Sequence, residues 1–163
     1  MPFTIAPFYN VQYTVGRGGT NYPTDVMLVQ YMIWKTCVQS SPYFGRNDGI
    51  FAPYPVYPPD VDNTDAIQNF DGFYTPELGD WIEAFQLAAN QRGFGTLTVD
   101  GRVARAPVGW GKNARAGVWY TIQALNLLMF RQSEQPYANL PDLSDVPVPM
   151  GDQLKLIVVE DWG

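Results

Sequence analysis

The stretch Asp71-Gly72-Phe73-Tyr74-Thr75-Pro76, continuing through Trp81-Ile82-Glu83-Ala84-Phe85-Gln86 to Asp100-Gly101-Arg102-Val103, decides how this chain is read. An Asp-Gly pair suits a tight turn, because glycine tolerates positive φ and the aspartate carboxylate can accept hydrogen bonds from nearby backbone N–H groups. Each pair is therefore a predicted corner, and a third lies at Asp48-Gly49. Thr75-Pro76-Glu77 has the make-up of a helix start. It offers a hydroxyl N-cap, a proline whose missing N–H costs nothing in the first turn, and a carboxylate favoured by the helix dipole. The spacing predicts a helix over about 76–92, with Gly93 as C-cap, that buries Leu78, Trp81, Ile82, Phe85 and Ala89.

Working outward, Asn21-Tyr22-Pro23-Thr24-Asp25 predicts another helix start, with Asn21 as N-cap. That helix should cover roughly 22–38 and bury Val26, Val29, Ile33 and Cys37, with Tyr22, Leu28 and Met32 widening the face. A third helix is predicted from about Asn113 to Arg131. Val118, Ile122, Leu125 and Met129 form its stripe, and Trp119, Leu127, Leu128 and Phe130 make it apolar on more than one side, as for a central or partner-facing helix. A short helical turn is expected at 63–70.

The ends read differently. Phe3, Ile5, Tyr9, Val11, Tyr13 and Val15 stand at odd positions, the period-2 pattern of a half-buried strand, with Pro7 suggesting an edge. Gly16-Arg17-Gly18-Gly19 follows as a flexible turn. Prolines at 136, 141, 147 and 149 suit an extended tether, and Leu154 to Val159 reads as a terminal strand. Such ends either pair with each other or pair with neighbouring subunits. The expected division is thus a helical domain over 1–135, with a loop insertion at 39–74, and a proline-rich extension over 136–163 ending in a strand.

With 163 residues and 46% hydrophobic content, the chain can form one core, while 14 prolines and 15 glycines imply long loops. A net charge of −6 argues against nucleic acid, whose phosphates need clustered Lys and Arg. No run reaches the roughly 18 apolar residues that would span a bilayer, so no membrane insertion is expected. The N-terminus lacks the basic and apolar regions of a Sec signal peptide. Cys37 is the single cysteine, which excludes an intramolecular disulfide.

Three motif groups carry a family likeness. Val15-Gly16-Arg17-Gly18-Gly19-Thr20-Asn21-Tyr22-Pro23-Thr24-Asp25-Val26 with Leu28-Val29-Gln30 is the first. Asp71-Gly72 through Phe85-Gln86 is the second, and Asp100-Gly101-Arg102-Val103 the third. Over roughly 15–131 the chain resembles the peptidoglycan-binding-domain-like family, in the version attached to bacterial secretion and injection-system proteins. The resemblance implies a mainly α fold with a three-helix core, in which Asp-Gly turns follow helices that carry apolar–Gln pairs. Val29-Gln30, Phe85-Gln86 and Ile122-Gln123 are such pairs, unevenly spaced. Two departures stand out. Residues 39–70 replace a short turn, and Ala104-Arg105-Ala106-Pro107 with a Gly-Trp-Gly loop replaces the usual Gly-Pro-x-Thr step. Both would remodel the groove that takes wall peptide in such modules.

Catalytic chemistry has little to work with. The absence of histidine removes Ser-His-Asp and Cys-His arrangements and the usual zinc sites, and Cys37 reads as core packing. A carboxylate-dependent glycan hydrolase would need a pair such as Glu77, Asp80 or Glu83, but helix dipole and solvated face explain these. Asp60, Asp62, Asn63, Asp65 and Asp71 mimic part of a calcium loop, yet Asp65 stands where the sharp bend needs glycine and no bidentate Glu closes the site. Gly16-Arg17-Gly18-Gly19 and Gly109-Trp110-Gly111-Lys112 miss both phosphate fingerprints. No catalytic residue, metal or cofactor is expected.

Aromatics, 15% of the chain, exceed what helical stripes absorb. Tyr43, Phe44, Tyr54, Tyr57, Tyr74 and Trp110 are the candidates for interface or glycan contact, since Tyr and Trp suit protein interfaces and also stack on sugar rings. The expected function is a non-catalytic structural subunit of a phage tail, virion or related injection assembly, partnered by other subunits or by itself. It would assemble in the cytoplasm and act in the virion or outside the cell. The alternative is a module that places a partner hydrolase on peptidoglycan.

Overall fold

A computed structural model describes residues 7–38, 65–91, 97–107, 119–132, 137, 140–143, 146–157 and 159–160. The protein is mainly helical. Its elements are β1 (Pro7–Phe8), β2 (Val15–Gly16), α1 (Pro23–Ile33), α2 (Asp65–Gln68), α3 (Pro76–Gln91), β3 (Arg102–Val103), α4 (Thr121–Gln132), α5 (Val148–Ile157) and β4 (Val159–Glu160). A π-helical turn, Trp34–Val38, extends α1, and a 3₁₀ turn, Leu140–Asp142, precedes α5.

Helix α1 is the hub. It touches α2, α3, α4 and α5, and Val26, Leu28, Val29, Tyr31, Met32 and Ile33 are all buried. A helix apolar nearly all round must be enclosed. Helix α3 buries Leu78, Trp81, Ile82, Phe85 and Ala89, as its spacing predicts, and α4 buries Ile122, Leu125, Leu128 and Met129. Helix α4 begins at Thr121, so Trp119 and Tyr120 precede it, and the expected start at Asn113 and the stripe residue Val118 lie outside the described residues.

Asn21 does not cap α1. Tyr22 is the N-cap residue, with no side-chain hydrogen bond. Asn21 adopts φ 55° and turns back on the glycine-rich turn. Its Oδ1 accepts the Gly16 N–H at 2.7 Å, and its Nδ2 donates to the carbonyls of Gly16 and Gly19. The helical run reaches Val38, as the apolar spacing suggests, but its last turn, Trp34–Val38, is π-helical. Thr36 Oγ1 donates to the Met32 carbonyl at 2.7 Å where the π-helical turn begins, a side-chain bond that bends helices.

The N-terminal segment is not a half-buried strand. Phe8, Tyr9, Asn10 and Val11 are all buried, while Tyr13 is exposed, so the odd-position pattern fails. Side-chain amides supply much of the hydrogen bonding at Tyr9 and Asn10. Asn126 Oδ1 accepts the Tyr9 N–H and its Nδ2 donates to the Tyr9 carbonyl, each at 2.9 Å. Asn10 does the same for Ala106, donating to its carbonyl at 2.8 Å and accepting its N–H at 3.2 Å. Buried backbone groups must find partners, and here two asparagines stand in for a neighbouring strand.

The two ends pair with each other. Strand β1 runs antiparallel to β4, with Pro7 opposite Glu160 and Phe8 opposite Val159. The proline-rich stretch is correspondingly packed rather than an extended tether: Tyr137, Leu140, Val146, Met150 and Leu154 are buried. Helix α5 occupies much of the span expected to be a strand from Leu154 to Val159. Pro149 sits in the first turn of α5, where a missing N–H leaves no hydrogen bond unmade, and Gly151 N–H donates to the Pro147 carbonyl at 2.9 Å.

Candidate functional site

The two Asp-Gly turns at 71 and 100 are built alike, each clasped by a buried glutamine from the preceding long helix. On α1, Gln30 Oε1 accepts the Gly72 N–H at 3.0 Å. Its Nε2 lies 3.0 Å from Asp71 Oδ1 and 3.4 Å from the Phe73 carbonyl. On α3, Gln86 Oε1 accepts the N–H groups of Asp100 and Gly101, both at 3.0 Å. Its Nε2 lies 3.1 Å from Asp100 Oδ1 and 2.9 Å from the Arg102 carbonyl. Within each turn the aspartate Oδ1 also accepts the N–H two residues on, from Phe73 and from Arg102. Gly72 and Gly101 adopt φ 79° and 70°, a conformation that glycine alone takes readily.

The third apolar–Gln pair is different. Gln123 Oε1 accepts the Tyr120 N–H at 3.0 Å, at the start of its own helix.

The glycine-rich segment is drawn onto the second turn. Strand β2 pairs antiparallel with β3, Gly16 opposite Arg102, and Arg17 N–H donates to the Gly101 carbonyl at 3.2 Å. The Arg17 guanidinium forks to Asp80 Oδ1 at 2.7 Å and Glu83 Oε2 at 2.9 Å, which raises its pKa. Of the three carboxylates weighed for acid/base chemistry, Asp80 and Glu83 are thus held by one cation. Asp71, the last position of the apparent calcium loop, is held in the first clasp, and among the described residues no His/Cys/Asp/Glu cluster could hold a metal ion.

Beside the second turn lies a cleft of about 360 Å³, lined by Thr98, Asp100, Arg102, Trp119, Tyr120 and Thr121, within the size range of small-ligand sites. Its floor is tied to the clasp, because Gln86 Nε2 also lies 3.0 Å from Thr121 Oγ1 at the head of α4. Trp119 and Tyr120 are half-buried and packed against the core.

Of the aromatic contact candidates, Tyr43, Phe44, Tyr54, Tyr57 and Trp110 lie outside the described residues. Tyr74 is half-buried at the start of α3, where a Cβ at Gly79 would come 2.8 Å from its hydroxyl. Burial raises its pKa, opposed by the nearby Arg17. The exposed aromatics of the described residues are Tyr13, Tyr22 and Phe73, at 51%, 42% and 72% exposure. The rings of Tyr13 and Tyr22 lie 5.8 Å apart. The cleft-lining Arg102, Trp119 and Tyr120 were not legible as a group. Only the Asp-Gly corner at 100 marks their neighbourhood, and nothing in the spacing brings residue 102 to residue 119. Among the described residues no helix is long and apolar enough to cross a membrane.

Comparison with protein-family models, with curated proteins and with solved structures gave no match.

Proposed function

We propose that the chain is a non-catalytic recognition module with a peptidoglycan-binding-like core of three helices, α1, α3 and α4, that attaches itself or a partner to the bacterial cell wall. The repeated clasp carries this reading. Gln30 with Asp71-Gly72 and Gln86 with Asp100-Gly101 give the same helix-to-turn unit twice, matching the motif resemblance of the sequence. Engagement of Asp80 and Glu83 by Arg17 supports a binding role over hydrolysis, and no catalytic group or cofactor is assigned. A pull-down of the full chain on purified wall sacculi at moderate salt tests the reading. Retention is expected, and passage into the unbound fraction would overturn it.

A second reading, a structural subunit of a phage tail, virion or injection assembly, is favoured by the exposed Tyr13, Tyr22 and Phe73. Pairing of β1 with β4 inside one chain weakens the case for subunit contacts through the strand ends, so that role would fall to the aromatic surface. Light scattering after size exclusion should then show an oligomer that Tyr22→Ser with Phe73→Ser breaks down. A monomer at all concentrations would count against it.

A further inference from the structure

We infer that the cleft between the second Asp-Gly turn and the start of α4 binds a carboxylate-bearing saccharide, with Arg102 taking the carboxylate and Trp119 and Tyr120 the sugar ring. This rests on the wall-binding reading and assigns it a place on the molecule.

The argument begins with the difference between the two clasped turns. After Phe73, α3 starts at Pro76, so the first turn runs almost directly into its helix. After Arg102, α4 does not start until Thr121, and the cleft lies between that turn and that helix.

The chemistry of the lining narrows the ligand. Arg102 and Phe73 hold equivalent places, third in their turns, but one presents a guanidinium where the other presents a phenyl ring. Among the described residues no carboxylate pairs with Arg102, whereas Arg17 has two. A guanidinium fork matches a carboxylate in shape and charge. Asp100 lines the same cleft, but its Oδ1 is engaged in the clasp, held by Gln86 Nε2 and the Arg102 N–H. Trp119 and Tyr120 offer ring faces for the apolar side of a pyranose and polar tips for its hydroxyls. Thr98 and Thr121 add hydroxyls at the edge of the cleft. A chain of net charge −6 does not attract anions in general, so an acidic ligand here must be held by local geometry.

The test is calorimetric titration of the full chain with two probes, the disaccharide-tetrapeptide released from sacculi by a muramidase and neutral chitotriose. The acidic probe should bind on the order of tenfold more tightly than chitotriose. Arg102→Gln, at an exposed position, should remove that preference without moving the thermal midpoint. Trp119→Ala and Tyr120→Ala should each weaken both probes. If Arg102→Gln leaves the acidic probe's affinity unchanged while sacculi are still retained, the cleft assignment is wrong and the wall-binding reading stands. If sacculi are not retained but the acidic probe binds through Arg102, the cleft assignment stands without the wall. Failure of the wild-type chain to bind either probe overturns the inference.

Discussion

Gln86 and Asp100 hold each other in two ways at once. The amide Nε2 lies 3.1 Å from the carboxylate Oδ1, while the amide Oε1 accepts the Asp100 N–H at 3.0 Å. The glutamine is fully buried, so its polar atoms have exchanged water for this turn and for the Thr121 hydroxyl. Gln86→Leu keeps the bulk but orphans the N–H groups of Asp100 and Gly101. Each buried donor left unmade costs about 1–3 kcal/mol, so chemical denaturation should show a loss of about 2–4 kcal/mol. Gln86→Glu can still accept both N–H groups but faces Asp100 as a like charge. Its deficit should therefore shrink as the pH is lowered toward carboxylate pKa values, whereas that of Gln86→Leu should not follow this titration. Equal, pH-independent losses in the two variants would remove the clasp as the explanation.

Much of this scaffold could be read from the chain. Leu78, Trp81, Ile82, Phe85 and Ala89 repeat at helical spacing and are buried as expected, because a local period is enough to define a helix face. The Asp-Gly corners were legible for the same reason. What holds them was not, since Gln30 and Asp71 stand 41 residues apart and a glutamine's partner leaves no mark on its neighbours. The N-terminal strand failed on a related point: alternation of Tyr9, Val11, Tyr13 and Val15 assumes backbone pairing, and Asn126 and Asn10 supply the bonds instead. The prolines at 147 and 149 misled because proline breaks a helix only in its interior, and here they open one. The cleft was hidden because Arg102 and Trp119, which line it together, stand far apart in the chain and share no local pattern.

Gly16 and Gly18 both have positive φ, 119° and 67°, yet only Gly16 is crowded. A Cβ there would lie 2.1 Å from the Gly101 carbonyl oxygen, whereas at Gly18 nothing lies within 4 Å. Gly18→Ala should cost about 1–2 kcal/mol, the backbone penalty alone. Gly16→Ala must also push β2 from β3, and should cost upwards of about 3 kcal/mol. Thermal unfolding of the two variants side by side checks this, and similar midpoints would contradict the close approach.

Residues 7–11 are structural, not a detachable arm. Phe8, Tyr9 and Val11 are buried, and their burial contributes roughly 5–9 kcal/mol, comparable with the whole stability of a small domain. Tyr9 Oη donates to the Tyr137 carbonyl at 2.7 Å, Tyr137 Oη bonds the Pro7 carbonyl at 2.6 Å and Asn126 Oδ1, and the two rings meet edge to face. Deleting residues 1–11 should abolish cooperative unfolding by circular dichroism. Tyr137→Phe, which keeps the ring, should lower stability by about 1–2 kcal/mol. A truncated chain that unfolds like the intact one would refute this placement.

Asp25 gives the fold a pH dependence of definite sign. Its carboxylate is buried in the first turn of α1 and accepts the Gln12 and Tyr13 N–H groups, both at 2.9 Å. Burial raises its pKa above the ordinary 3.8, opposed by those two bonds and by Arg105. The folded state therefore binds the Asp25 proton more tightly than the unfolded chain does. The resulting stabilisation is complete below pH 3.8 and is lost as the pH rises through the raised native value. Asp25→Asn removes the titration, and its amide can accept only one of the two N–H groups, so the variant should be less stable throughout. Denaturation measured from about pH 3 to pH 6 should show the wild-type advantage over Asp25→Asn narrowing as the pH rises and levelling off once Asp25 is ionised in the folded state. An advantage that instead widens with pH would mean that the two N–H bonds and Arg105 outweigh burial at this carboxylate.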